Sequence, residues 1–365
     1  METYKIPMVP GPVRVPEAIL NVYQTNYGSG DLEPEFVELY NQTEAKLQPI
    51  FGAQNKIVLQ TGEGMLALWA ALKSCLRPGD RVLAVATGLF GYGLGEMARL
   101  IGAEAQTVGL GYNETLSDLT AVEQAMVDFR PKMITAVHCE TPSGTLNPLA
   151  ELGRLKKHYE IPLLYVDAVA SLGGAPVLTD EWQIDLCLGG SQKCLSAPPS
   201  MAMVSVSETA WEIIKAVNYE GYDALKPFQT AQANHYFPYT PYWHGIAALN
   251  VAADLLLAEG LAASFARHEQ VAAYCREQLV ELGFTLYPAP NAIPSPTVTA
   301  AYIPEKTTWA EFDAKLRRRG LAVGGNYGPL AGKVFRLGHM GSQADLALAE
   351  QAINVLAEVQ SELAA

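Results

Sequence analysis

The sequence predicts an α/β protein with a doubly wound, mainly parallel sheet, followed by a smaller α/β C-terminal domain. Three observations carry this. From Lys56 to about Ser207 short apolar runs alternate with helical patterns, which requires crossover connections and therefore parallel strands. Several runs, Leu163 to Val166 among them, are apolar without alternation, as expected of strands covered on both faces. Finally, 365 residues, 49% of them hydrophobic and 17% charged, supply enough apolar material for a large core in two domains.

Taken in order, residues 1–20 are rich in Pro and Gly, and MVPGPVRVP reads as an extended arm. Asn26 to Phe36 is a loop leading into a helix that carries Phe36, Leu39 and Tyr40. Within a large domain spanning 21–245, strands are expected at Ile57 to Gln60, Arg81 to Ala86, Gln106 to Leu110, Met133 to His138, Leu163 to Val166, Ile184 to Leu188 and Met201 to Val206. Helices are expected at Met65 to Cys75, closed by RPGD, and around 91–101, 117–129 and 148–160. The segment 208–245 is less regular and holds the aromatic, Pro-rich run HYFPYTPYWHG. A small domain, 246–365, opens on a helical pattern from Ile246 to Leu257 and contains strands around Thr297 to Ile303 and Lys333 to Leu337. In open α/β sheets ligands collect outside the strand ends, so those ends should carry the chemistry.

A net charge of −13 argues against nucleic acid or an anionic membrane as a partner. The opening METYKIPMVPGP has no apolar stretch of signal type, and no run approaches the length of a bilayer, so a cytoplasmic protein is expected. Cys75, Cys139, Cys187, Cys194 and Cys275 lack CxxC spacing and read as core residues. The histidines show no ligand spacing, so no protein-bound metal is expected.

Two strand ends stand out. In IDLCLGGSQKCLSAPPS, Ile184 to Ser200, an apolar strand breaks at Gly189 and Gly190 and delivers Lys193 among small and apolar residues. A poorly solvated ammonium loses its proton more readily, and a neutral amine can attack a carbonyl. In IPLLYVDAVASLGG, Ile161 to Gly174, an apolar strand ends in Asp167. Each alone has an ordinary reading, a surface lysine or a capping aspartate. Together they match the two groups that pyridoxal chemistry requires, an amine for a Schiff base and a carboxylate for the pyridinium nitrogen.

With VDAVASLGG, GSQKCLSAPP, ETPSGTLNP (Glu140 to Pro148) and GKVFRLGHMG (Gly332 to Gly341), the chain resembles the class V, fold type I aminotransferases, in particular the alanine-glyoxylate and serine-pyruvate group. The likeness runs through nearly the whole chain in order. It implies a pyridoxal 5'-phosphate enzyme that moves an amino group to a small 2-oxo acid such as pyruvate or glyoxylate. It also implies a homodimer, or an oligomer built from dimers, whose N-terminal arm helps form the active site; Arg14 on that arm either faces a ligand or is an ordinary solvent-exposed arginine. By the same resemblance Lys193 forms the Schiff base, Asp167 meets the ring nitrogen and Phe90, in GLFGYG, stacks on the ring. Thr141 bonds the ring hydroxyl, Gln192 lies beside the phosphate, and Thr240, in FPYTP, reaches the phosphate of a neighbouring subunit. Arg336, inside the apolar VFRLG, wants a bidentate carboxylate, and a substrate carboxylate fits as well as a structural one.

The phosphate turn departs from the family. TGEGMLAL, Thr61 to Leu68, joins a strand to a helix and offers unpaired first-turn amides, with Glu63, Gly64 and Met65 at the phosphate positions. A carboxylate about 4 Å from a phosphate is repelled by ~4 kcal/mol per unit charge at an effective dielectric of about 20, before screening. Either Glu63 points into solvent and the amides still hold phosphate, or it points inward and accepts from a hydroxymethyl group, so that unphosphorylated pyridoxal or pyridoxamine is the substrate. The second pattern resembles the pyridoxamine-pyruvate transaminases, although Tyr327 stands where a second arginine is expected there; Phe237, where a tyrosine is common, also weakens the case for phosphate. Gly91, Gly93 and Gly95 suggest a dinucleotide loop only superficially, because Glu96 takes the place of the third glycine. Cysteine desulfurases share the fold and lysine, but no cysteine follows Cys275 to serve as the sulfur carrier, and a cofactor-binding regulator would need a DNA-binding module for which no length is spare.

Overall fold

A computed structural model describes residues 3–364; Met1 and Glu2 of the expected arm and Ala365 of the expected small domain lie outside the described residues. The strands are β1 (Ile6–Met8), β2 (Lys56–Thr61), β3 (Arg81–Ala86), β4 (Glu104–Gly109), β5 (Met133–Val137), β6 (Cys139–Glu140), β7 (Thr145–Leu146), β8 (Leu163–Asp167), β9 (Leu186–Gly190), β10 (Met201–Val206), β11 (Val298–Tyr302), β12 (Leu321–Val323) and β13 (Val334–Gly338). The helices are α1 (Glu17–Leu20), α2 (Pro34–Phe51), α3 (Gly64–Cys75), α4 (Leu89–Leu100), α5 (Thr120–Phe129), α6 (Ala150–His158), α7 (Glu208–Val217), α8 (Ala231–Asn234), α9 (Trp243–Glu259), α10 (Leu261–Glu281), α11 (Trp309–Arg318) and α12 (Leu346–Ala364). Among the described residues no single helix is long and apolar enough to cross a membrane.

The central sheet has seven strands in the order β2-β10-β9-β8-β5-β3-β4. All pairs are parallel except those of β10, which runs antiparallel to both β2 and β9. Strands β5, β8 and β10 are buried throughout, as their unbroken apolar runs require. The edge strand β4 is half exposed and lies two residues earlier than its apolar run suggests, because its register against β3 starts at Glu104. Gly189 and Gly190, expected to break the chain, are instead the last residues of β9, paired with Met203 and Ala202. Their missing side chains make room for packing: a Cβ at Gly189 would fall 2.7 Å from Leu172 Cδ2. The segment expected to be irregular holds α7, begun by Ser207, whose hydroxyl accepts from Ala210 N at 3.1 Å.

A second core gathers Val271, Cys275, Phe312, Phe335, Leu337 and Leu356 around the antiparallel pair β11–β13. Helix α9, although it follows residue 245, places Ile246, Leu249, Ala253 and Leu256 in the first core. Packing thus favours a division near Gly260, between α9 and α10. The arm is also more structured than its composition suggests. Its β1 pairs in parallel with β12, and Ile6 and Met8 are buried in the second core. Beyond β1 the chain crosses to the first core in a tightly packed passage, for a Cβ at Gly338 would fall 2.3 Å from Val9 O and 2.4 Å from Pro10 Cα. Gln343 Nε2 fastens the same stretch by donating to Val9 O at 2.8 Å. Gly338→Ala is therefore expected to displace the arm and destabilise the protein by about 1–3 kcal/mol. Thermal unfolding checks this, and an unchanged Tm would show that the arm yields without resistance.

Candidate active site

Parallel pairing of β8 and β9 sets Asp167 opposite Leu188, and the chain then leaves the sheet through Ser191 and Gln192 to Lys193. Asp167 caps the following turn, its Oδ1 accepting from Val169 N at 2.9 Å. Lys193 is held from the other side by the arm: its Nζ donates to Pro10 O at 2.5 Å. Gly11, at φ +83°, lies so close that a Cβ there would be 2.6 Å from Lys193 Cδ and 2.8 Å from Nζ.

Burial governs both charges. It lowers the Lys193 pKa, and the positive field of Arg336 lowers it further. Burial likewise raises the Asp167 carboxyl from 3.8 to about 6, outweighing the Val169 amide and the lysine charge, while Glu63 adds like-charge repulsion. The two groups make no direct ion pair, yet each lies in the other's field, so the structure brings the two sequence-expected strand ends into one site.

Glu63 is half-exposed, yet its carboxylate is turned back onto the protein. As the N-cap of α3 it turns its carboxylate onto one first-turn amide and the Gln192 side chain, Oε1 accepting from Met65 N at 3.0 Å and Oε2 from Gln192 Nε2 at 3.0 Å. The carboxylate partner fixes which end of the Gln192 amide faces it. Gln192 Oε1 is then left buried without a hydrogen-bond partner among the described residues. Gly64 packs below, where a Cβ would fall 3.0 Å from both Val169 methyls. This corner therefore holds a carboxylate at the start of α3, with the Gln192 oxygen enclosed beside Gly190.

Phe90 is half-buried in the first turn of α4, and Thr141 is buried just past β6. Between them stands Glu140, to which sequence reasoning gave no role although it heads the ETPSGTLNP run. Both its oxygens accept first-turn amides of α4. Two of the three glycines suggestive of a dinucleotide loop serve packing instead, Gly91 admitting Ala86 and Glu140 and Gly95 admitting Ala84 and Thr107, while Gly93 faces open space.

Arg336 on β13 is 5% exposed. Its Nε donates to Gly325 O at 2.8 Å, its guanidinium lies 5.1 Å from the Tyr327 ring, and no carboxylate pairs with it among the described residues. Burial lowers its pKa. The loop that carries Gly325 and Tyr327 is tied across the crevice, Asn326 Nδ2 donating to Pro142 O at 2.7 Å, beside Thr141. Thr240, by contrast, is exposed and has no hydrogen bond to these residues among those described. Its neighbour Tyr239 does touch the turn, its hydroxyl accepting from Thr61 N at 3.1 Å. The Pro10 carbonyl and Gly11 went unnoticed in the sequence because nothing local marks which distant backbone will meet a lysine.

Residues 10–334 match the family model described as aminotransferase class-V. The chain is 32% identical over 366 residues to a pyridoxamine–pyruvate transaminase of Mesorhizobium japonicum, covering 96% of this chain and 90% of that protein. It is also 32% identical over 353 residues to an alanine–glyoxylate aminotransferase of Oryctolagus cuniculus, covering 93% and 88% respectively. Among solved structures, a pyridoxamine-pyruvate aminotransferase from Mesorhizobium loti matches with a TM-score of 0.94 at 31% identity, covering 100% of this chain and 94% of that one.

Because the Asp167 pKa is raised on folding, from 3.8 to about 6, its contribution favours the folded state below the lower value and is lost as pH rises through the upper one. Asp167→Asn should therefore flatten the decline in unfolding free energy between about pH 4 and pH 6, by about 2–3 kcal/mol. Denaturant unfolding of the ligand-stripped protein at stepped pH is the check, and parallel curves for the two proteins would contradict the assignment.

Proposed function

Since this chain belongs to the class V aminotransferases and is a transaminase, we propose that it delivers the amino group of free pyridoxamine to a small 2-oxo acid such as pyruvate or glyoxylate. The observation that carries the choice of donor is the Glu63 carboxylate seated on Met65 N and Gln192 Nε2, where other members of the family would hold phosphate.

When bound, a pyridoxal-type group supplies an electron-accepting ring that makes a Cα–H bond breakable. Lys193, its pKa lowered by burial and by Arg336, would carry the proton between the two carbon positions and, once the amino group has been passed on, hold the group's carbonyl carbon. Asp167 would pair with the ring nitrogen and keep it protonated. Phe90 would cover one ring face and Thr141 would meet the ring hydroxyl. Glu63 would accept from the hydroxymethyl arm. Arg336, whose Nε is already committed to Gly325 O, would present its terminal nitrogens to the substrate carboxylate. The reading extends to a cytoplasmic homodimer, with the exposed Thr240 turned toward the second copy.

A second reading keeps pyridoxal phosphate, the cofactor the family implies, as a resident group. The N-terminus of α3 favours it, since Glu63 swinging outward would free the Met65 amide and expose the helix's positive end.

Mass analysis of what the denatured protein releases, together with an assay of pyridoxamine plus pyruvate, separates the two. Turnover of pyridoxamine by protein that releases no pyridoxal phosphate is the expected result; stoichiometric release of the phosphate would overturn it. Glu63→Ser should raise the affinity for pyridoxal phosphate about tenfold or more by removing the like charge. Lys193→Ala should abolish labelling by borohydride with pyridoxal.

A further inference from the structure

Glu140 takes no part in the transfer described above, yet it is 0% exposed at the end of β6, and no cation pairs with it among the described residues. Its Oε2 accepts from Phe90 N at 3.2 Å and its Oε1 from Gly91 N at 2.7 Å, so one side chain receives both amides from a helix some 50 positions away in sequence. Its main chain meanwhile closes the turn that carries Thr141, the carbonyl accepting from Gly144 N at 2.9 Å and from Ser143 Oγ at 3.3 Å. Gly144, at φ +70°, lets this turn press on β11, where a Cβ would fall 2.9 Å from Ala300 N.

The chain is shaped around this carboxyl. A Cβ at Gly88 would fall 2.6 Å from Glu140 Cδ, although Gly88 has an extended backbone that any residue could adopt. It is therefore the carboxyl, and not the backbone, that requires glycine there. Burial without a counter-charge is costly and pushes the Glu140 pKa up to about 7, with Asp167 adding repulsion. A helix that needed only capping could use a hydroxyl or carboxylate at its own first position, as α7 does with Ser207.

We infer that Glu140 is a positioning residue, fixing the backbone of Phe90 against the turn of Thr141 and so setting the slot into which a planar ring enters. The inference rests on the roles given to Phe90 and Thr141 under the proposed function. Glu140 acts through those two residues and makes no contact with the ring of its own.

The test begins with wild-type protein, borohydride and either pyridoxal or pyridoxal phosphate, with Lys193 labelling read by peptide mass. No label from either aldehyde would overturn the function and this inference together. Given labelling, the affinity for the aldehyde that labels is measured by tryptophan fluorescence in Glu140→Gln, Phe90→Leu and the double variant, alongside thermal unfolding. Glu140→Gln keeps the shape but loses one acceptor. It should weaken binding about tenfold, as should Phe90→Leu, while the double variant falls well short of the product of the two, because both act through one contact. Fully multiplicative losses, or a lowered Tm with unchanged affinity, would reduce Glu140 to a helix cap and sink the inference with the function intact. Should Glu140→Gln fail to fold, Gly88→Ala displaces the same carboxyl, and its cycle with Phe90→Leu must show the same shortfall.

Discussion

The site depends on withdrawing charge from water with only partial compensation. Asp167, Glu140 and Arg336 lie buried and Lys193 half-buried around one site, and none finds a full ion-pair partner among the described residues. Left to itself such an arrangement opposes folding. It persists because backbone amides and carbonyls take up part of each charge: Val169 N for Asp167, Phe90 N and Gly91 N for Glu140, Pro10 O for Lys193 and Gly325 O for Arg336. These dipoles are fixed by the fold and need not reorganise when a ligand arrives, which is the condition for electrostatic preorganisation. The same partial compensation leaves Lys193 with a lowered pKa and Asp167 with a raised one, the directions a neutral amine and a titratable acid require.

The crevice is also where the two cores meet, and two backbone passages join them. Residues 9–11 carry the arm from its pairing with β12 to the lysine, and the loop at 324–328 reaches back from the second core to Pro142. Arg336 is hydrogen-bonded to this loop, and Lys193 to the arm, so a shift of the second core would move the guanidinium and the lysine's carbonyl partner together. Loss of packing at Gly338 would thus be felt at the lysine, since the glycine faces the Val9 and Pro10 backbone and Pro10 O accepts from Lys193 Nζ.

Much of this was legible in sequence where the signal is local. The buried strands announce themselves through unbroken apolar runs, and Asp167 and Lys193 stand out because polar residues end such runs. What escaped depends on distant partners. Gly189 and Gly190 looked like a break because glycine loosens a strand, whereas here their lack of side chain admits Leu172, Gln192 and Val169. The arm's Pro-rich composition hid β1, whose pairing with β12 lies more than three hundred residues away. Glu140 was visible as a letter but not as a partner of Phe90, since nothing in ETPSGTLNP says where its side chain turns. The helix α7 is the exception, a local signal passed over: Ser207 followed by an amphipathic stretch has the pattern of a capped helix.

Glu63 shows how one side chain could change what counts as cofactor and what counts as substrate. A phosphate on a helix N-terminus supplies binding energy remote from the reacting carbon, and that energy keeps a group resident through many turnovers. A carboxylate on the Met65 amide partly satisfies the helix end without any ligand, since that donor and the macrodipole already face a negative charge. Under the proposed reading the anchor would be absent in both directions: a phosphorylated group would be repelled, and an unphosphorylated one would be held only by the ring contacts and Lys193. Such a group would bind weakly enough to leave once the lysine releases it, which is what a substrate must do and a resident cofactor must not.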